Sequence, residues 1–445
     1  MTAHRHSDHQ SDRGTNILVL LTDQQQADAM SCVLGGRWLK TPHLDALAAG
    51  GVRFNRAYCC NPLCRPSRAS MLTGLYTHQT GQDTNLDDRF SAGPNRFTCL
   101  GRVFQDQGYD TAYLGKWHFP FERDADVHGF QTFDIRHGRP QDSGPEAIYD
   151  FLRAPRQRPF LAVASWNYPH CSAGPGPTEG ELPPLFANHL PQRDEPDIVA
   201  RMREVYCGVD STRSSLANHM AYTGQQRRQQ RWNYYRMIER LDEMLGRVLT
   251  TLRETGQEEN TWIVHLSDHG ECCGAHNISG KTFLYDAAAR VPLIITRKDH
   301  TRLAIVDTLV NTGIDLIPTL AGLAGIAAPA DLPGRDLRPL VDGLSPDWQR
   351  PFIVAENRMA HKAADVPVPY GRMLRSDRYK YCLYSEGEQR ESLVDMAEDP
   401  GETINRAGDP AMRAILAEHR ECLHAHALAV NDTRARDMLD ALVKG

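Results

Sequence analysis

Up to about residue 345, short apolar runs alternate along the chain with helix-like segments. The run from Asn16 to Asp23 is almost wholly apolar, as expected for a strand covered on both faces of a sheet. From Thr41 to Gly51 an N-cap threonine, a proline, apolar residues at helical spacing and two glycines predict a helix. Further strands are predicted at 52–58, 109–118, 159–170, 261–270 and 291–296. This alternation predicts an α/β/α sandwich around a mostly parallel sheet.

Four of these strands end in side chains that bind metals or transfer protons. They are Asp23, the pair Lys116 and His118, His170, and the pair Asp268 and His269. In open α/β sheets, ligands bind beyond the carboxyl ends of the strands. We therefore interpret this edge of the sheet as a functional site.

The last hundred residues have a different pattern, with short strand candidates at 351–356, 372–384 and 391–395 and a helix near 410–428. They predict a small C-terminal α+β subdomain with a short antiparallel sheet. The predicted organisation is a flexible tail over 1–15, a catalytic domain over 16–345 and the subdomain over 346–445.

Composition excludes several classes of partner. The 445 residues carry a net charge of −6, which gives no electrostatic reason to expect nucleic acid. No apolar run approaches the roughly 20 residues that span a bilayer, so no membrane partner is expected. Eleven cysteines lack a regular spacing, and no apolar segment precedes Asn16. We expect reduced thiols and a cytoplasmic protein. Nothing in the sequence indicates an oligomeric state.

The segment from Cys64 to Arg68 opens a predicted helix that runs toward Gly74. A helix N-terminus attracts anions and activates thiols, and Arg68 lies one turn beyond Cys64. By this chemistry alone, two interpretations stay open. Cys64 is either a nucleophile within an anion site or a structural cysteine beside solvated arginines.

The same five residues, Cys-Arg-Pro-Ser-Arg, resemble the Cys-x-Pro-Ser-Arg signature of type I sulfatases, which belong to the alkaline-phosphatase-like superfamily. Four more segments resemble that family in order: Asn16 to Gln24, Gly115 to His118, Ser267 to Glu271, and Gly280 to Pro292. The stretch LVDMAEDPGE is similar to the family's C-terminal segment. The resemblance covers most of the chain.

The resemblance implies a sulfuric ester hydrolase in which a maturation enzyme oxidises Cys64 to formylglycine. The implied metal ligands are Asp23, Gln24, Asp268, His269 and the modified residue 64. Their mainly oxygen donors favour Ca²⁺, with Mn²⁺ or Mg²⁺ as alternatives, although His269 is an unusual calcium ligand.

The resemblance also implies roles for the remaining site residues. Arg68 balances charge, Lys116 and Lys281 bind sulfate, His170 protonates the leaving oxygen and His118 acts as a base. Asn85 is a further candidate substrate contact. The expected substrate is a sulfated carbohydrate or another small organosulfate.

Two departures keep an alternative open. Many members have a second aspartate in place of Gln24 and an asparagine in place of His269, and similar variants occur in the related phosphonate monoester hydrolases and phosphodiesterases. That branch tends to replace the lysine and histidine found here as Lys116 and His118, which favours a sulfatase. A third class, a descendant that binds anions without catalysis, is disfavoured by the intact set of polar residues.

Overall fold

The structure, a computed structural model, describes residues 14–85, 97–119, 125–135, 145–170, 176–208, 219–300, 302–359 and 368–444. Residues 1–13 of the predicted flexible tail lie outside these ranges. Among the described residues, no helix combines the length and apolarity needed to cross a membrane.

The strands form one large sheet and two smaller ones in the described part of the chain. They are β1 (Asn16–Thr22), β2 (Gly51–Phe54), β3 (Ala57–Tyr58), β4 (Asp110–Gly115), β5 (Thr132–Ile135), β6 (Phe160–Ser165), β7 (Thr261–Ser267), β8 (Leu293–Thr296), β9 (Ala304–Val306), β10 (Val310–Asn311), β11 (Phe352–Arg358), β12 (Tyr370–Ser376), β13 (Tyr379–Tyr384) and β14 (Glu391–Asp395). The eight-stranded sheet has the order β5-β4-β6-β1-β7-β8-β2-β9. Its central strand β1 runs parallel to β6 and β7, and only β8 is antiparallel to its neighbours.

Helices cover both faces of the large sheet. They are α1 (Ser31–Leu34), α2 (Pro42–Ala49), α3 (Cys64–Thr73), α4 (Thr77–Thr80), α5 (Leu100–Gln105), α6 (Ala125–His128), α7 (Ala147–Arg153), α8 (Asp197–Cys207), α9 (Gly224–Glu254), α10 (Asp286–Ala289), α11 (Thr312–Ala324), α12 (Arg338–Asp342), α13 (Arg413–Ala429) and α14 (Thr433–Lys444). Short 3-10 helices lie at His219–Ala221, Glu258–Asn260, Ala275–Asn277 and Pro410–Met412.

Alternate residues of β1 belong to two different hydrophobic cores. Ile17, Val19 and Leu21 pack in a core with residues of α3, α5 and α11, while Leu18 and Leu20 pack in a core with residues of α2, α7 and α9. Successive side chains of a strand point to opposite faces, so a wholly apolar strand needs cover on both. The predicted α/β/α sandwich with a mostly parallel sheet is confirmed.

The single strand predicted over 52–58 is wrong. The chain forms β2, turns at Asn55 and Arg56, and then forms β3, which pairs with β10 outside the large sheet. The two turn side chains bind polar partners, because Asn55 Nδ2 donates to Asp307 Oδ1 at 3.0 Å and Arg56 Nη1 donates to Asp377 Oδ1 at 2.7 Å. Polar residues at consecutive positions thus end one strand and begin another.

The C-terminal residues form the predicted antiparallel sheet, in the order β11-β12-β13-β14. Ile353 and Met373 of this sheet share a hydrophobic core with Tyr58, Ile198 and Phe283 from the larger part of the chain. The other face of the sheet packs on α13 and α14, of which only the first was predicted. The boundary between 345 and 346 stays a prediction.

Candidate active site

The carboxyl ends of β1, β4 and β7 meet the first turn of α3. Asp23 follows β1, Lys116 follows β4, and Asp268 follows β7, while Cys64 is the first residue of α3. All four side chains are brought together, because the parallel strands of one sheet end at the same edge. The structure therefore brings these residues together at the predicted edge of the sheet, whereas the role of each residue stays a prediction.

The guanidinium of Arg68 links the side chains of Asp23 and Asp268. Its Nη2 donates to Asp23 Oδ2 at 3.0 Å, and its Nε donates to Asp268 Oδ2 at 2.8 Å. The guanidinium is fully buried, and its remaining nitrogen Nη1 donates to the Lys116 carbonyl and to Ser165 Oγ, both at 2.9 Å. A planar fork with five donors suits this arrangement, because one cation then orients two carboxylates at once.

Cys64 is buried, and cationic or ring nitrogen groups surround its sulfur. Lys281 Nζ lies 3.0 Å from Cys64 Sγ, His269 Nε2 lies 3.2 Å away and Lys116 Nζ lies 3.9 Å away. Lys281 Nζ also donates to Gln24 Oε1 at 2.7 Å, and Lys116 Nζ pairs with Asp23. An oxygen in place of this sulfur would face the same groups.

These contacts favour negative charge at position 64. Burial opposes ionisation of the Cys64 thiol, but Lys116, Lys281 and His269 outweigh burial and hold its pKa well below the usual value. Burial and Cys64 also oppose ionisation of Asp23, yet Lys116, His170 and Lys281 hold its pKa well below the usual value. For Asp268, burial and the neighbouring Asp23 raise the pKa. The cluster therefore stabilises an anion at residue 64.

The residues present fit a divalent cation. Asp23, Cys64, Asp268 and His269 each offer one ligand atom, and these atoms lie within 4.8 Å of one another. His269 Nδ1 lies 2.9 Å from the Gly270 carbonyl, so this nitrogen carries a proton. Burial lowers the pKa of His269, but Asp268 outweighs burial and raises it, so a cation would take the Nε2 lone pair in place of a second proton. Asp23 Oδ1 lies 3.9 Å from both Cys64 Sγ and His269 Nε2. Ligands that each lie about 2.3–2.6 Å from one Ca²⁺ have separations of this order.

The remaining predicted residues lie around this cluster. His118 has a positive φ of 53° and forms a hydrogen bond that helps to lower the pKa of Cys64, and its Nδ1 is buried with no partner in the part of the chain that the structure describes. His170 is close enough to lower the pKa of Asp23. Asn85 accepts the backbone N–H of Arg65 through Oδ1 at 2.9 Å, which places it at the start of α3.

Glu271 is a residue of the site that the sequence did not single out. Its carboxylate accepts the side-chain amide of Gln24 and, through Oε1, the backbone N–H of Cys273 at 2.9 Å. It therefore holds Gln24 and the loop that follows β7 in place. Glu271 lies two residues after His269 in the segment Ser267 to Glu271 that resembles the family, and this position could have identified it as a site residue.

A family model matches most of the chain. The model described as Sulfatase matches residues 15–326, which contain every predicted site residue. The chain belongs to the sulfatase family. A second model, described as N-sulphoglucosamine sulphohydrolase, C-terminal, matches residues 274–428. The predicted family and enzyme class, a hydrolase of sulfate esters, are confirmed.

Several relatives resemble this sulfatase over most of its length. It is 32% identical to an uncharacterized sulfatase, YidJ, of Escherichia coli strain K12, over 92% of this chain and 86% of that protein. It is 30% identical to the Delta 4,5-hexuronate-2-O-sulfatase of Bacteroides thetaiotaomicron, over 85% and 82% of the two chains. The solved structure of a 2-O GAG sulfatase matches with a TM-score of 0.81 and 27% identity, covering 94% of this chain and 93% of the other.

The alternative branch is more distant. A phosphonate monoester hydrolase of Agrobacterium radiobacter matches with a TM-score of 0.70 and 22% identity, covering 94% and 96% of the two chains. That similarity shows a common fold. The matches at higher identity are sulfatases, which favours the sulfatase over the phosphonate hydrolase.

Proposed function

We propose that this sulfatase hydrolyses sulfate monoesters of carbohydrates, with a formylglycine made from Cys64 and one bound divalent cation. The observation that carries the proposal is the set of groups around position 64. Lys281 and His269 lie 3.0 and 3.2 Å from Cys64 Sγ, and the side chain is buried at the start of α3. Such an environment stabilises the negative charge that a sulfate ester brings and that its cleavage develops.

Formylglycine, as its hydrate, supplies an oxygen nucleophile, and a divalent cation makes that oxygen more acidic. Asp23, Asp268, His269 and residue 64 would hold the cation, with Gln24 as a fifth ligand. Carboxylate and amide oxygens favour Ca²⁺, whereas the imidazole of His269 favours Mn²⁺, and Mg²⁺ is the third candidate.

The protein's own side chains have the following proposed roles. Lys116 and Lys281 bind the non-bridging oxygens of the sulfate group, since both ammonium groups face Cys64. Arg68 orients Asp23 and Asp268 and balances their charge. His118 accepts a proton near residue 64, and His170 donates a proton to the departing sugar oxygen. Asn85 orders the first turn of α3 and contacts the substrate.

A carbohydrate substrate is supported by the relatives. One is named a Delta 4,5-hexuronate-2-O-sulfatase and another, at 25% identity, an N-acetylglucosamine-6-O-sulfatase, both of Bacteroides thetaiotaomicron. We propose the shared chemistry, a sulfate ester on a sugar ring, as the substrate class.

The modification is tested by mass spectrometry of the peptide that contains Cys64, from protein co-expressed with a formylglycine-generating enzyme. We expect the aldehyde at residue 64, turnover that rises with the aldehyde fraction, and a loss on the order of 10⁴-fold or more in Cys64→Ala. Full activity with an intact thiol would refute the proposed mechanism.

The substrate class is tested by comparing sulfated mono- and disaccharides with an aryl phosphonate, each in the presence of Ca²⁺, Mn²⁺ or Mg²⁺. We expect release of sulfate from at least one sugar to exceed phosphonate cleavage. A faster reaction with the phosphonate would instead place the chain with the phosphonate monoester hydrolases.

A further inference from the structure

Lys281 lies on a loop with an unusual backbone conformation. The next residue, Thr282, has φ of 83°, a left-handed value that β-branched residues rarely adopt. Such a conformation costs on the order of 1–3 kcal/mol and persists only where its surroundings hold it. The loop that carries the candidate sulfate-binding lysine therefore depends on contacts that keep Thr282 in place.

Two hydrogen bonds hold Thr282 from opposite sides. Its backbone N–H donates to the Pro62 carbonyl at 2.9 Å, and its carbonyl accepts the side-chain amide of Asn357 at 2.7 Å. Pro62 lies two residues before Cys64. The first bond ties the lysine loop to the loop of the nucleophile, and the second ties it to β11 of the C-terminal sheet.

The C-terminal sheet is shaped to present this amide. Asn357 is 1% exposed, and it pairs across the sheet with Gly371. A Cβ atom at Gly371 would lie 2.5 Å from Asn357 Oδ1, so the glycine provides the space for the asparagine side chain. The preceding residue, Glu356, donates its backbone N–H to the Cys60 carbonyl at 2.8 Å. Consecutive residues of β11 thus hold the loop of Cys64 and the loop of Lys281.

Among the described residues, only one half of the Asn357 amide has a hydrogen-bond partner. Nδ2 donates to Thr282, whereas Oδ1 is buried without a hydrogen-bond partner among the described residues. An apolar residue at this position would remove the unpaired acceptor but would also leave the Thr282 carbonyl without its donor. The contact of this amide is therefore made by its donor, which holds the Thr282 carbonyl.

We propose that Asn357 is a positioning residue for the reaction. Its amide N–H keeps Thr282 in the left-handed conformation and thereby keeps Lys281 Nζ beside residue 64. The inference rests on the proposed function, because it takes Lys281 as a ligand of the substrate's sulfate group. Without the amide, Thr282 relaxes toward negative φ, and the lysine that precedes it moves away from Cys64 and Gln24.

The test compares Asn357→Leu, Lys281→Met and the double variant, each carrying formylglycine and assayed with the sulfated sugar that the wild type cleaves best. We expect Asn357→Leu to lower kcat/KM by about 10- to 100-fold, chiefly through KM, and to raise the inhibition constant of inorganic sulfate. The double variant should be no slower than Lys281→Met, because residues that act through one group are not additive.

The matched control is Asn405→Leu. Asn405 is also buried, and its Nδ2 donates to the carbonyls of Asp194 and Glu391 at 2.8 Å, away from the lysine loop. We expect this variant to be less stable but kinetically unchanged. If Asn357→Leu does not fold, Asn357→Ser is measured in its place. Thr282→Gly provides a second measurement, since glycine adopts the same φ without strain and should reduce the effect of losing Asn357.

Either of two results overturns the proposal. The first is unchanged kinetics in a folded Asn357 variant, and the second is a loss that multiplies with that of Lys281→Met. Failure of the proposed function is distinct from both, because the wild type would then release no sulfate from any sugar.

Discussion

Two buried clusters of this sulfatase have nearly the same composition and opposite character. The first, which we propose to be catalytic and call the catalytic cluster, contains Asp23, Cys64, Arg68, Asp268 and His269. The second, here called the C-terminal cluster, contains His78, Glu356, Arg372 and Asp432. Each combines an arginine, a histidine and two carboxylates. In both, the potential metal-binding atoms of three or four residues lie within 4.8 Å of one another.

The difference lies in how the polar atoms are used. In the C-terminal cluster His78 faces an acceptor at each ring nitrogen, Glu356 Oε1 at 2.6 Å and the Val430 carbonyl at 3.1 Å. Arg372 binds both oxygens of Asp432, at 2.6 and 3.0 Å. A ring that donates from both nitrogens is an imidazolium, which cannot bind a metal.

In the catalytic cluster the potential metal-binding atoms face one another. His269 uses Nδ1 on the Gly270 carbonyl and directs Nε2 at residue 64, while Arg68 takes only one oxygen from each aspartate. The comparison teaches that a count of ligand types does not define a metal site. Each carboxylate must also keep an oxygen that no arginine takes, as Asp23 and Asp268 do and Asp432 does not.

The largest contrast is expected from the same substitution in each cluster, Asp23→Asn and Asp432→Asn. A bound cation contributes several kcal/mol of charge stabilisation, so turnover should fall on the order of 10³-fold or more in Asp23→Asn. This variant should also lose the metal-dependent gain in stability, which is about 2.7 kcal/mol when the metal is at about 100 times its Kd. Thermal unfolding with and without added Ca²⁺ or Mn²⁺ measures it.

Asp432→Asn provides the control for this prediction. It leaves the buried Arg372 without its paired carboxylate and should cost about 3–5 kcal/mol of stability. The metal-dependent gain should persist, since the catalytic cluster is unchanged. If the metal-dependent gain in stability is lost in Asp432→Asn and kept in Asp23→Asn, the metal binds at the C-terminal cluster and our assignment is wrong.

A smaller contrast is expected from Arg68→Lys and Arg372→Lys. An ammonium group cannot bridge Asp23 and Asp268 as the planar fork does, so Arg68→Lys should lower kcat/KM by about 10²- to 10³-fold. Arg372→Lys should lower only stability, by about 1–3 kcal/mol. Steady-state kinetics and urea unfolding of both variants separate the two effects, and equal kinetic losses would contradict the comparison.

The smallest effect concerns the pH dependence of stability. Burial lowers the pKa of His78, but Glu356 outweighs burial and the net shift is upward. Asp432, Arg372 and His426 also face this region. A raised pKa means that the stability from the imidazolium is present below the unfolded value of about 6.5 and is lost as pH rises through the folded value.

His78→Gln tests this pH dependence. The difference in unfolding free energy between the wild type and this variant should shrink between about pH 6 and about pH 9, by at most about 1.4 kcal/mol per pH unit. Urea unfolding at the two pH values measures the difference. A difference that stays constant with pH would mean that His78 is neutral in the folded protein.

The local sequence pattern was sufficient to predict the fold and the edge of the sheet at which the candidate site residues meet. A buried apolar strand followed by a polar residue identifies the carboxyl edge of a sheet, and that rule located Asp23, Lys116 and Asp268. The same reasoning missed the turn at Asn55 and Arg56, because β-branched and aromatic residues on either side read as one strand.

Long-range partners were not predictable from one sequence. Asn357 contacts a residue 75 positions earlier in the chain, and Glu271 contacts Gln24 across 247 positions. Nothing in the local pattern around Asn357 distinguishes it from any other polar residue in a strand. Its significance follows only from the backbone conformation of Thr282, which the sequence around a threonine does not indicate.

The burial of α3 has a consequence for how the enzyme is made. Cys64, Ser67 and Arg68 are at most 1% exposed, and the segment that resembles the family signature forms the first turns of a helix in the core. Under the proposed function, a converting enzyme would have to reach this segment before the chain folds. Asp268, which locks Arg68 in place, is 200 residues further on. At about 5–20 residues per second, synthesis of that stretch takes about 10–40 seconds. The fraction of active molecules would then depend on how many chains are converted before they fold, and an expression host with too little converting enzyme would yield well-folded but inactive protein.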